Sequence, residues 1–236
     1  MIVFGSYNHC FGDSWAILHN AIRTSLETGE PVFVSEYVYG GAHLVPGVPT
    51  RGEFIGNMLR EQLSEINQPK GSAVHIADEV VTELRKITVE EYPHPYYPTK
   101  HVWKPKRHRR LCVQFDNNQV PETCARSFKY HDRLALLDWL KDKPYVVLGK
   151  PLSVSQCAEI AATSDLFIGM DSGMSHLAHS VGVPTLLLHW EALDRFHPKK
   201  LFYRFGNAKE GIRIAEGLLK DFSPWLKMLK LENKED

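Results

Sequence analysis

The sequence predicts an α/β protein of two lobes, each a parallel sheet covered by helices. Short, continuously apolar runs alternate with amphipathic helical stretches, the pattern of strands buried on both faces. The alternation is interrupted over residues 92–105, where four prolines and four aromatics follow no period. It restarts at Leu111. With 236 residues, 43% of them hydrophobic and 24% charged, the chain has enough apolar surface for either one large core or two smaller ones.

Periodicity places a strand at Ile2–Ser6, a helix from about Ser14 to Thr28, and a strand at Val32–Tyr37 after the turn Gly29-Glu30-Pro31. This is a βαβ unit. Trp15, Leu18, Ile22 and Leu26 share one helical stripe, with Arg23 and Glu27 opposite. Residues 39–49, rich in Gly and Pro, read as a mobile loop. A helix over about Arg51–Ile66, a short strand at Ala73–Ile76 and a helix over about Asp78–Lys86 complete the first lobe. Beyond the interruption come strand Leu111–Phe115, helix His131–Lys141, strand Tyr145–Leu148, helix Ser153–Thr163, strand Leu166–Gly169, helix Ser172–Val181 and strand Thr185–His189. A final helical stretch, about Gly211–Leu231 and broken at Ser223-Pro224, would cover an edge or return to the first lobe. The expected organisation is a lobe at 1–91, a basic, Pro- and aromatic-rich linker at 92–110, a second lobe at 111–210 and a helical segment at 211–236.

Lys and Arg number 28, as do Asp and Glu, so net charge gives no reason to expect a nucleic acid or membrane partner. The exception is Lys100–Arg110, a basic run containing Trp103, which suits a phosphate-rich acceptor, a lipopolysaccharide core or a nucleic acid. A solvated linker explains the same run. Cys10, Cys112, Cys124 and Cys157 form no CxxC pair and read as reduced thiols of a cytosolic protein. The first residues lack the basic region of a signal peptide, and no apolar stretch approaches the roughly 20 residues that span a bilayer. The expected location is cytoplasmic, with peripheral work at a membrane allowed.

The most informative segment runs from Leu166 to Pro184. A strand ends just before Asp171 and a helix begins at once, with Met174, Leu177, Ala178 and Val181 spaced to pack inward. The helix N-terminus is thereby left open at the carboxyl end of the strand. Backbone N–H groups from Ser172, Gly173 and the residues after them, with Gly173 permitting close approach, suit an anion such as a diphosphate. Ligands of open α/β sheets bind at this edge, and His176 would sit beside the anion. For an isolated D-S-G, an ordinary Asp/Ser cap with a packing glycine is the better reading.

Asp171-Ser-Gly-Met-Ser-His-Leu-Ala-His-Ser-Val-Gly-Val-Pro184 resembles the D-S-G-x-x-H-L-A-x-x-x-G-x-P signature of the heptosyltransferase-like glycosyltransferases of family 9, which act in lipopolysaccharide synthesis and have the GT-B fold. Gly149-Lys150 and the run Ser153 to Gly169 match the approach to that motif. Phe11-Gly-Asp13 after the first strand resembles the family's G-D loop. The chain is shorter than a typical member, and its 116–130 loop lacks the usual glycine-and-tryptophan pattern.

The resemblance implies a GT-B-like α/β fold, two Rossmann-like lobes whose parallel sheets face a central cleft. It implies an inverting transfer of sugar from a nucleoside diphosphate donor to an acceptor hydroxyl of a glycan or glycolipid. Asp13 would be the general base, facing the donor across the cleft from the loop after the first strand; a helix N-cap is its other reading. Asp171, Ser172, Gly173, Met174, Ser175 and His176 would hold the donor diphosphate. Arg126 and Lys129 are the basic candidates beside it, and plain surface charges otherwise. Glu191 and Asp194, near Arg195 and His197, would accept from ribose hydroxyls, or form a surface turn. No D-x-D triplet occurs, so neither a metal nor another cofactor is expected beyond the donor substrate itself.

Other chemistries fit less well. Met170 replaces the first glycine of a G-x-S-x-G nucleophile elbow, which argues against a hydrolase using Ser172 or Ser175 with His176. Gly149-Lys150 is followed by Pro151 and lacks the leading glycine of a P-loop, and no G-x-G-x-x-G follows the first strand. The remaining alternative is a non-catalytic module that binds a nucleotide sugar or a partner.

Overall fold

The computed structural model describes residues 2–6, 11–36, 51–77, 97–104, 110–115, 127–149, 151–189 and 202–220. The chain divides into two compact units, Met1–Lys100 and His101–Asp236. The expected loop at 39–49 and helix at 78–86 lie outside the described residues, as does everything expected beyond 220.

In the first unit β1 (Ile2–Ser6), β2 (Val32–Glu36) and β3 (Val74–Ile76) form a parallel sheet in the order β1-β2-β3. The βαβ reading holds. Helices α1 (Phe11–Thr28) and α2 (Arg51–Glu65) make the two crossovers, and Trp15, Leu18, Ile22, Val32, Val34 and Leu59 are fully buried between layers.

Two expectations for α1 are corrected. The helix begins at Phe11, so Asp13 is neither on a preceding loop nor an N-cap but in the helix's first turn. Phe11 extends the helix because its ring stacks on Trp15 one turn later, with centroids 5.6 Å apart, and because Gln62 Nε2 donates to its carbonyl at 3.0 Å. Leu26, expected on the buried stripe, is 37% exposed. Ser25 occupies the inner position of that last turn, its hydroxyl donating to Glu30 O and accepting from Ala73 N–H.

The second unit contains β4 (Leu111–Gln114), α3 (Tyr130–Leu140), β5 (Tyr145–Val147), α4 (Val154–Ala162), β6 (Leu166–Gly169), α5 (Gly173–Val181), β7 (Thr185–Leu188), β8 (Phe202–Phe205) and α6 (Ala208–Lys220). Its five strands are all parallel, in the order β5-β4-β6-β7-β8. β6 and β7 are buried at every residue, which is why each reads as an unbroken apolar run. Alternate residues Leu111, Val113, Leu166, Ile168, Leu186 and Leu188 build one core layer with Leu136 and Leu140 of α3 and Ala215 and Leu219 of α6. α4 and α5 pack against one another, with Cys157, Ala158, Ala161, Leu177 and Ala178 buried.

β8 was not expected. Its short run, Phe202-Tyr-Arg-Phe, carries a charge and is only partly buried at its centre, so it has the profile of an edge strand without a clear period. α6 likewise starts before Gly211, because Asp132 Oδ1 accepts from Ala208 N–H at 2.8 Å and Asn207 Oδ1 from Glu210 N–H at 3.0 Å.

The described part of the expected linker is bound on both sides. Tyr97 N–H donates to His19 Nδ1 and Lys100 N–H to Glu65 O within the first unit. Trp103 N–H donates to Val181 O, and its indole Nε1 to Ser164 O at 2.8 Å, within the second. Trp103 is buried, so the aromatic of the basic run anchors a core instead of offering a stacking face to a nucleic acid. Lys100 and Lys104 are exposed. Residues 105–109 lie outside the described residues.

Candidate functional site

The order of the second sheet reverses at β4 and β6: the chain leaves β4 to one side for β5, then returns past β4 to β6. Such a reversal opens a crevice at the carboxyl ends of the two strands. There β4 ends in Gln114, paired in register with Gly169 of β6. A Cβ at Gly169 would stand 2.7 Å from Gln114 O and 2.9 Å from the Phe167 ring, so only glycine lets these strand ends approach as they do.

The chain emerges from β6 through Met170, Asp171 and Ser172, all buried, and turns directly into α5. Ser172 is the N-cap, with extended backbone. Ser175 closes the turn: its hydroxyl accepts from Ser172 N–H at 3.0 Å and donates to Ser172 O at 2.6 Å. Ser175 and His176 N–H groups both reach Ser172 O, whereas the N–H groups of Gly173 and Met174 meet no acceptor among the described residues. Two donors and the positive end of the helix dipole therefore lie at the carboxyl ends of β4 and β6.

His176 Nε2 lies 3.6 Å from Asp171 Oδ1, with side chains only 7% and 6% exposed. When protonated, the imidazole forms an ion pair with the carboxylate. The inward stripe Met174, Leu177, Ala178 and Val181 is buried as its spacing predicts. At the other end Gly182 adopts φ 86°, ψ 13°, and its N–H bonds to Ala178 O and His179 O, stopping the helix just before Val183-Pro184. The G-x-P of the sequence motif is thus a left-handed C-terminal stop.

The structure brings Asp171, Ser172, Gly173, Met174, Ser175 and His176 together in one turn. Lys129, the N-cap of α3 after β4, is exposed and forms no bond with that turn among the described residues. Arg126, Glu191, Asp194, Arg195 and His197 lie outside the described residues, as does the Asp13 side chain. Gln114 was missed. Its Oε1 accepts a hydrogen bond from the Ser172 hydroxyl. The available signal was a polar residue ending an otherwise apolar strand.

Residues 99–194, the stretch containing this turn, match the family model of glycosyltransferase family 9 (heptosyltransferase). That stretch is similar to family 9. Solved structures agree on the fold. The iron-containing dodecameric glycosyltransferase TibC of enterotoxigenic E. coli H10407 superposes with a TM-score of 0.56 at 12% identity, covering 87% of this chain and 64% of that one. TibC as a heptosyltransferase in complex with ADP-D-β-D-heptose gives 0.51 at 11% identity, covering 87% and 62%. The chain thus spans less than two thirds of the length of TibC. E. coli heptosyltransferase WaaC with ADP gives 0.47 at 10% identity, covering 93% and 99%, too low a score to bear on the fold. No curated protein matches. The fold is α/β and GT-B-like, with parallel sheets in both units.

TibC is described as iron-containing. Among the described residues no group of three or more His, Cys, Asp or Glu is placed to hold a metal ion, and Asp171 with His176 is only a pair. The described donor set does not fit iron. No helix among the described residues is long and apolar enough to cross a membrane.

Proposed function

We propose that this chain is a glycosyltransferase that moves a sugar from a nucleoside diphosphate donor to an acceptor hydroxyl, with inversion and without a metal ion. The observation that carries the proposal is the buried turn Asp171–His176, opening α5 at the reversal of strand order inside the family-matched stretch. The TibC complex makes an ADP-linked heptose the first donor to test.

In this mechanism the acceptor O–H gives its proton to the Asp13 carboxylate as its oxygen attacks the anomeric carbon from the face opposite the leaving group. The bond from anomeric carbon to phosphate oxygen breaks, and its electron pair stays on the departing diphosphate. Negative charge grows there as the reaction proceeds. The N–H groups of Gly173 and Met174, the α5 dipole and the His176 imidazole, held by Asp171, stabilise that charge more in the transition state than before it. Arg126 and Lys129 add positive charge nearby, and Glu191 and Asp194 accept from the ribose hydroxyls. The acceptor is a glycan or glycolipid that the exposed Lys100 and Lys104 help attract, and the enzyme works in the cytoplasm or peripherally at a membrane.

The test is release of ADP from ADP-D-β-D-heptose in the presence of a lipopolysaccharide-core acceptor, with and without EDTA. Release that survives EDTA, and falls at least roughly a hundredfold in Asp13→Asn while donor binding persists, is the expected result. Donor binding without turnover in the wild type would favour the binding-module alternative, and absence of binding would end both.

A further inference from the structure

We infer that Gln114 is a ligand-binding residue of this site, whose Nε2 donates to the diphosphate of the donor. The inference rests on the proposed donor site and adds a residue that the family motif does not contain.

Gln114 stands alone in kind on its strand. Leu111, Cys112 and Val113 are buried and apolar, and the half-buried amide follows them at the carboxyl end of β4, at the reversal of strand order. Both positions flanking it lack side chains. Gly169 is its partner in register on β6, and a Cβ at Gly149, just past β5, would come within 3.9 Å of Gln114 Nε2. Gly149 has φ +115°, a conformation that side-chain-bearing residues rarely adopt, so the clearance on that side is built into the backbone.

The amide is also oriented. The Ser172 hydroxyl donates to Oε1, which commits the opposite edge of the amide to donation. No hydrogen bond from Nε2 joins it to another described residue. The residue that orients Gln114 is the same one that opens α5, so the amide and the free N–H groups of Gly173 and Met174 belong to one rim. A set of uncharged donors of this kind matches phosphate oxygens, each of which offers several lone pairs. A carboxamide adds no net charge, so the diphosphate is held without a fixed cation at this point of the site.

The test compares wild type, Gln114→Glu and Gln114→Leu by calorimetric titration with ADP, UDP, GDP, CDP and dTDP, after thermal unfolding has shown that each variant folds. Glutamate keeps an acceptor for the Ser172 hydroxyl but sets a carboxylate oxygen where Nε2 was. Affinity for the nucleoside diphosphate that the wild type binds is expected to fall roughly ten- to a hundredfold in Gln114→Glu, and about tenfold in Gln114→Leu. If Gln114→Glu does not fold, Gln114→Leu decides alone. Wild-type affinity in Gln114→Leu overturns the inference, because any loss in the glutamate variant is then repulsion only. A wild type that binds none of the five removes the donor-site proposal itself, an outcome distinct from wild-type binding retained by both variants.

Discussion

Helices α4 and α5 both start from the carboxyl edge of the same sheet and both open with a serine cap closed by the residue three positions on. In α4 the box is complete and sits in solvent: Ser153 Oγ accepts from Gln156 N–H at 3.1 Å, and Gln156 Oε1 accepts from Ser153 N–H at 2.9 Å. In α5 the box between Ser172 and Ser175 is buried, and three polar side chains it does not need crowd around it: Asp171, His176 and Gln114. Capping explains the first arrangement completely. It does not by itself account for the second, where the buried His176–Asp171 contact and the Gln114–Ser172 hydrogen bond surround the cap.

The difference is testable by treating the two helix starts alike. Ser175→Ala removes both an acceptor and a donor from a buried turn and strands Ser172 N–H, so its cost should be about 2–3 kcal/mol in denaturant titration. Ser153→Ala removes an exposed cap and should cost about 1 kcal/mol. Equal costs would erase the distinction between the two helix starts.

The backbone beneath each start responds next. Gly169→Ala pushes a methyl against Gln114 O and the Phe167 ring; since the backbone atom cannot yield cheaply, a loss of about 2 kcal/mol is expected, with weaker nucleotide binding as the strand ends part. Gly149→Ala makes only an ordinary contact, 3.9 Å from Gln114 Nε2, but does not have an easy φ, and should cost about 1 kcal/mol. Both follow from thermal or chemical unfolding alongside nucleotide titration. A Gly169→Ala variant of wild-type stability would mean that the strands separate without resistance.

These positions also show what was legible in the sequence. The apolar runs of β4, β6 and β7 and the inward stripe of α5 were readable because burial on both faces leaves one signal. The turn Asp171–His176 was readable because its glycine, serine and histidine follow a strand without a loop. Gln114 and Asp132 were not, since each acts on a partner distant in sequence, Ser172 and Ala208 respectively, and no local period records such a contact. β8 escaped for a different reason: a partly exposed edge strand of four residues has neither length nor alternation. Asp13 was singled out by its neighbours Phe11 and Gly12, but its backbone setting was misread, because the stack of Phe11 on Trp15 that lengthens α1 is a packing event.

The smallest expected effect concerns the strand between the two helix starts. Burial pushes the Cys112 thiol up to about 12 from an ordinary 9.0, with a bond involving Ser164 opposing the shift in part. Between those values the unfolded chain has lost this proton and the folded chain keeps it, so the group's contribution to stability declines as pH rises through that window. Denaturation midpoints from pH 8 to 10.5 should therefore fall less in Cys112→Ala than in the wild type. Parallel slopes would show that Cys112 ionises in the fold as readily as outside it.

The central claim, that the buried start of α5 holds a diphosphate, is tested most directly by thermal shift of wild type and His176→Ala with ADP, UDP, GDP, CDP and dTDP, each with Mg²⁺ and with EDTA. A ligand that binds only the folded state raises its melting temperature. The account predicts a shift with one of the five that is indifferent to Mg²⁺ and is lost in His176→Ala. No shift with any of them at millimolar concentration, or an equal shift in the variant, would contradict it.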